Sequence, residues 1–178
     1  MLASKRKIAD YTDDDGAPFY YRTSGGRYFN VVTNYPTGSS KERPYYVSAK
    51  FTKIIAATLS TNLFWFYQQA YTNGLDLKLC EIESVSLVAL EALTSENLST
   101  VSDLYDEYLA DIERNVEIRI SSAKSSYNVT TFKNYKLVRS KPLIDALDDL
   151  VGTFYGLTAE EIELREELRN GNPHERCR

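Results

Sequence analysis

Residues 59–87 read LSTNLFWFYQQAYTNGLDLKLCEIESVSL, and a change of period inside this stretch decides how the chain is expected to fold. Up to Ala70 the apolar positions recur near 3.6 residues. The series begins upstream at Phe51 and runs through Ile54, Ile55, Thr58, Leu59, Leu63, Phe66 and Tyr67, with Ser48 placed to cap it. Phe64 and Trp65 widen the stripe, which predicts a central helix buried on most sides. After the Thr72-Asn73-Gly74 turn the period drops to two. Leu75, Leu77 and Leu79 alternate with Asp76 and Lys78, as in a half-buried strand, and residues 84–90 extend the sheet or begin a connector.

Working outward toward the N-terminus, Phe19-Tyr20-Tyr21-Arg22-Thr23 and Arg27-Tyr28-Phe29-Asn30-Val31-Val32 flank Ser24-Gly25-Gly26, a hairpin signal. Residues 34–44 form a polar, basic loop carrying Pro36 and Pro44, followed by a short strand, Tyr45-Tyr46-Val47.

Toward the C-terminus, Val101, Leu104, Tyr105, Tyr108, Leu109, Ile112 and Val116 form one face of a helix over 99–115, with acids mostly on the other. Strands are predicted over 117–122 and 129–138 around Ser125-Ser126-Tyr127-Asn128. Pro142 opens a third helix, striped by Leu143, Leu147, Leu150, Val151 and Phe154 and stopped by Gly156. Thr158 and Glu161 make a capping box for a fourth. The fold class is α+β: mixed antiparallel hairpins packed on a central buried helix, with a C-terminal helical pair and no regular βαβ alternation.

A chain of 178 residues with 43% hydrophobic content suffices for one domain with a core, or a domain plus a helical appendage. The most apolar stretch, 51–70, is interrupted by Lys53, Asn62, Gln68 and Gln69, so no membrane span is expected. The first ten residues are basic but lack a following apolar region, which fits a cytoplasmic setting. Cys80, Cys177 and His174 are too few and too scattered for a structural zinc site. Cys80 is expected to be buried in a strand and Cys177 to be free in the tail.

The net charge of −4 conceals a pattern. Residues 1–60 hold nine basic and five acidic side chains, and 118–142 hold six basic and none acidic. Residues 76–117 hold two basic and eleven acidic, and 143–178 hold four basic and nine acidic. Two basic segments rich in Tyr, Ser, Thr and Asn thus alternate with acidic ones, as in a protein with one side facing nucleic acid.

Three ordered stretches resemble the C-terminal target-recognition region of adenine-specific DNA methyltransferases, in the type IIG restriction-modification-like family. The first runs from Phe19-Tyr20-Tyr21-Arg22 through Tyr35-Pro36 to Ser39-Ser40-Lys41-Glu42. The second is Leu59-Ser60-Thr61-Asn62-Leu63-Phe64-Trp65-Phe66, where Ser60 and Asn62 depart from the family's usual letters. The third joins Ser140-Lys141-Pro142-Leu143-Ile144-Asp145 to Tyr155-Gly156-Leu157-Thr158-Ala159-Glu160-Glu161-Ile162.

The resemblance implies a DNA target-recognition domain over 1–138 with a helical appendage over 139–178. It implies duplex DNA as partner, together with the catalytic methyltransferase domain of the same polypeptide. It also implies S-adenosylmethionine as the cofactor of that domain, with none held here. Candidate DNA contacts are Arg22, Arg27, Lys41 and Arg43 in the first basic segment, and Lys124, Lys133, Asn134 and Lys136 in the second. Tyr20, Tyr21, Tyr28, Tyr45 and Tyr46 are expected to pack in the sheet.

Catalytic constellations do not emerge. Asn34-Tyr35-Pro36 lacks the second proline and following aromatic that hold a flipped adenine, and Ser24-Gly25-Gly26 sits in a hairpin, not at a helix start. Asp76-Leu77-Lys78 lacks the preceding Pro-Asp of a metal-dependent nuclease. The competing reading is a protein-interaction module that docks a partner subunit through its acidic helices, 99–116 and 158–169.

Overall fold

The computed structural model describes residues 5–24, 31–72, 76–122, 129–158 and 160–161, and these form an α+β fold. The 51–70 run is two helices, not one: α1 (Thr52–Leu59) and α2 (Asn62–Tyr71). Side-chain hydroxyls break it. Ser60 Oγ donates to the Ala56 carbonyl at 2.9 Å and Thr61 Oγ1 to that of Thr58 at 2.6 Å, which diverts the chain from the helical path. Thr61, in extended conformation, then caps α2 by accepting the Phe64 N–H at 3.2 Å. Ser48 does not cap α1; its carbonyl accepts from the Phe51 N–H and from Thr52 Oγ1.

Every residue of α1 except Lys53 is buried, so α1 is the central helix. In α2 only Asn62, Phe64 and Gln68 are buried, and Tyr71 is 78% exposed. Burial on most sides therefore holds for the first half of the run only. Asp148 ties α2 down: its buried carboxylate accepts the Leu63 N–H at 3.1 Å and the Asn62 amide at 2.5 Å.

Helix α4 (Ser95–Arg114) starts four residues earlier than its periodicity suggests, because Thr94 and Asn97 exchange side-chain and main-chain hydrogen bonds at its N-terminus. Its stripe of Val101, Tyr105, Tyr108, Leu109 and Ile112 is buried, and the helix packs on α1 and α5 (Lys141–Phe154). Ile144 and Leu147 of α5 join the same core, and each such buried aliphatic side chain contributes roughly 1.5–3 kcal/mol. Pro142 lies in the first turn of α5, and Gly156, at φ +72°, ends the helix in the left-handed conformation. Thr158 and Glu161 make the expected capping box.

The described strands form three separate two-stranded antiparallel ladders. β2 (Thr12–Arg22) pairs with β3 (Glu42–Val47), setting Phe19 opposite Tyr45 and Tyr21 opposite Arg43. Most of the hairpin expected around Ser24-Gly25-Gly26 falls outside the described residues, and what is described includes one antiparallel contact across it. Residues 25–30 lie outside the described residues, and 31–33 touch β2 through one bridge, where Tyr20 and Thr33 exchange bonds of 2.7 and 3.1 Å. On the β3 side Phe19 and Tyr21 share their buried face with Tyr45 and Val47.

Near its start β2 bulges: Thr12 and Ala17 both stand opposite Val47, and Asp13, Asp14 and Asp15 are thrown out to solvent. Gly16 makes the bulge possible, since a Cβ there would lie 2.0 Å from the Val47 oxygen.

The strand expected over 75–79 is not formed among the described residues. Asp76 makes a single bridge to Ser24, and α3 (Leu79–Ser84) begins directly after Lys78. Glu81 explains the reversal, because its carboxylate accepts the Lys78 N–H at 2.8 Å and caps the helix. β1 (Lys5–Lys7) pairs with β4 (Ser86–Val88), a ladder that Lys-Arg-Lys does not announce. Ile8 and Leu87, both buried, anchor its two strands. β5 (Val116–Ser122) and β6 (Val129–Tyr135) form the second basic ladder as expected, except that β6 stops at Tyr135 and Leu137–Ser140 forms a 3-10 turn.

Candidate nucleic-acid interface

The two faces of the β2–β3 ladder differ in kind. Phe19, Tyr21, Tyr45 and Val47 point into the core. Pro18, Tyr20 and Arg22 point outward, opposite Tyr46, Pro44 and Glu42, and Tyr46 is 42% exposed. Tyr21 and Tyr45 thus pack in the sheet as expected, whereas Tyr46 does not; Tyr28 is outside the described residues. Burial raises the Tyr21 hydroxyl above its ordinary pKa, and the nearby Arg43 charge pulls the other way.

Three cations lie toward the open end of this ladder, on both of its faces: Arg22 is on the outward face, and Arg43, opposite Tyr21, is on the other. Arg22 closes β2, Arg43 stands one register step inside it, and the Lys41 carbonyl accepts both the Thr23 N–H and its hydroxyl. Lys41 and Arg43 are exposed, and Arg43 Nη1 donates to the carbonyls of Ser40 and Glu42 at 3.3 and 2.7 Å. Arg22 is half-buried, and its Nε is shut off from solvent with no hydrogen-bond partner. The nearest acid in sequence is occupied: Glu42 accepts from the Thr37 N–H and hydroxyl at 2.9 and 2.7 Å, pinning the turn that Gly38 makes at φ +83°. Among the described residues none of Arg22, Lys41 and Arg43 forms an ion pair. Arg27 lies outside the described residues.

The second basic segment is arranged differently. Lys133 Nζ lies 3.0 and 2.8 Å from the two oxygens of Glu113, at the end of α4. The same carboxylate accepts from the hydroxyls of Tyr35 and Tyr135 at 2.9 and 2.8 Å. Burial would raise the Glu113 pKa, but the bonds from Lys133, Tyr135 and Tyr35 outweigh it and hold the group below the ordinary value. Both tyrosine hydroxyls are pushed up, by burial first and then by the carboxylate.

Glu117, opposite Asn134 in the ladder, stands 3.1 Å from Lys136, 3.6 Å from Arg139 and 3.9 Å from Arg119. Arg119, Lys133, Lys136 and Arg139 are therefore met in space by two acids that lie just before this segment in sequence. Lys124 is outside the described residues. Beyond these pairs β5 presents Ile118 and Ile120 to solvent, at 59% and 69% exposure.

An open apolar groove of about 410 Å³ runs along α2, lined by Leu63, Phe66, Tyr67, Tyr71, Val85 and Tyr155 among others. Cys80 lies on α3 and is exposed, not buried in a strand as expected, because the capped helix replaced that strand. Among the described residues no group of three or more His, Cys, Asp or Glu side chains is placed to hold a metal ion, and no helix is long and apolar enough to cross a membrane. No family model matches this chain, and no curated protein or solved structure matches it.

Proposed function

We propose that this chain is the sequence-specific DNA-recognition module of an S-adenosylmethionine-dependent adenine-N6 DNA methyltransferase or combined restriction-modification enzyme. The observation that carries the reading is the end of the β2–β3 ladder, where Arg22, Lys41 and Arg43 stand without ion pairs among the described residues. Cations free of acids are what phosphate neutralisation requires. A two-stranded ribbon is narrow enough for the major groove, about 12 Å wide.

Methyl transfer belongs to the catalytic domain of the parent polypeptide. The described strands are all antiparallel pairs, with no strand, glycine loop and helix in the order that cradles S-adenosylmethionine, so no step of the chemistry is assigned to these residues. Titration of a labelled duplex at low salt tests the reading. Binding that weakens as salt rises supports it, and a chain that leaves the duplex free at about 50 mM salt contradicts it.

A second reading, a protein-interaction module, is favoured by the apolar groove along α2. The apolar stripe of α4 is already buried, so that helix offers a partner only its acidic side. Light scattering separates the two readings: a stable oligomer that does not bind DNA selects the second.

A further inference from the structure

Resting on the DNA reading above, the geometry points to a division of labour within the three cations: we infer that Arg22 reads a guanine base, while Lys41 and Arg43 hold phosphates. Arg22 differs from the other two in how it is held. Its Nε is enclosed and unpartnered although the residue as a whole is half-buried. A buried donor without a partner lowers stability and calls for a functional explanation. Here the enclosed Nε belongs to the last residue of β2, at a register position on the ladder face turned away from Phe19 and Tyr21. Fixing the fork in advance lowers the entropy lost when it makes two parallel hydrogen bonds.

The chemistry narrows the target. A guanidinium has donors only, so its two terminal nitrogens need two adjacent acceptors. In the major groove only guanine offers such a pair, O6 and N7. Arg22 also lies on the outer face, between Tyr20 two residues before it and Glu42 across the ladder, and Glu42 is engaged by Thr37. Lys41 and Arg43 are exposed at the ladder's end, where cations meet a phosphate backbone whatever the sequence.

The test is selection of bound duplexes from a randomised pool by the 178-residue chain, with Arg22→Lys, Arg22→Gln, Lys41→Gln and Arg43→Gln beside the wild type. The wild type should enrich a motif containing guanine. Both Arg22 variants should lose preference at one guanine by roughly tenfold or more, whereas Lys41→Gln and Arg43→Gln should keep the motif and weaken all duplexes alike. Replacing that guanine by 7-deazaguanine should reproduce the loss for the wild-type protein, which needs no variant to fold. Two results overturn the inference and leave the DNA reading standing: a wild-type chain that binds without base preference, or Arg22 variants that keep the motif and lose affinity uniformly. Absence of any duplex binding overturns both.

Discussion

Glu113 is the point where the second basic ladder is fastened to the body, and its removal should be costly in a calculable way. In Glu113→Ala the hydroxyls of Tyr135, which is 2% exposed, and Tyr35 lose a charged acceptor. Such bonds are worth about 1.5–3 kcal/mol each. The Lys133 pair adds only about 0.5–1 kcal/mol, because each partner is about one-third exposed and screened by water. Bonds sharing one carboxylate are not additive, so the expected total is about 3–4 kcal/mol. For a chain of this size that lowers Tm by roughly 10 °C, at about 2–4 °C per kcal/mol.

Glu113→Gln should cost less, about 1–2 kcal/mol, since its carbonyl oxygen can still accept from both tyrosines, whereas its amide N–H groups and the Lys133 ammonium are all donors and that bond is lost. The pH dependence has a definite sign. Glu113 lies below its ordinary value of 4.5 in the folded chain, so its contribution is complete above 4.5 and is lost as pH falls through the lower folded-state value. Urea denaturation from about pH 7 to about pH 3 should therefore show the gap between wild type and Glu113→Gln closing in acid. A gap that widens below pH 4.5, or a Glu113→Ala variant within about 0.5 kcal/mol of wild type, would refute the reasoning.

Asp148→Ala should destabilise by about 3 kcal/mol in chemical denaturation, because the buried Asn62 amide and Leu63 N–H lose their acceptor, and Asp148→Asn by about half as much. Gly16→Ala should cost more than about 2 kcal/mol, since the new Cβ meets main-chain atoms of Val47 that cannot move aside cheaply. Gly38→Ala, strained only by φ +83° and otherwise in open space, should cost about 1 kcal/mol by the same denaturation assay. Cys80 should react with a thiol reagent in the native protein within about tenfold of its rate in urea, and strong protection would mean that α3 is misplaced.

The helices are legible in the sequence because their apolar stripes are long. α5 lies where its periodicity puts it and α4 ends there too, though a cap starts α4 four residues early, and the glycine stop and capping box after α5 carry their own chemistry. Short signals carry less. Leu75, Leu77 and Leu79 look like a strand, but one capping carboxylate, Glu81, is enough to start a helix. Lys5–Lys7 carries no alternation at all, and its pairing depends on the buried neighbours Ile8 and Leu87. Residues 19–23 suggest a partner close by in sequence, and Tyr20 does bridge Thr33, but the ladder with 42–47 is not announced, since apolar alternation says which face is inward and not which strands it meets.

Charge is the least transparent feature of the candidate interface. Counted along the chain, 118–142 is the stronger basic segment; folded, Glu113 and Glu117 from its N-terminal boundary neutralise Lys133 and Lys136. In the weaker-looking first segment Lys53 pairs with Asp106, but Arg22, Lys41 and Arg43 form no ion pair among the described residues, and Glu42, their nearest acid in sequence, turns toward Thr37. Residue order alone does not distinguish these outcomes, which depend on which carboxylate a turn or helix end brings within hydrogen-bonding reach of each cation.

In the proposed function, duplex DNA meets the β2–β3 end and not the β5–β6 ladder. This contact is tested most directly by the salt dependence of duplex affinity for the wild type and two charge-neutralised pairs. Lys41→Gln with Arg43→Gln should lower the log–log slope by about 1.8, at about 0.9 for each phosphate left without its cation. Lys133→Gln with Lys136→Gln should leave it unchanged. A smaller slope in the second pair with none of that change in the first would contradict the account.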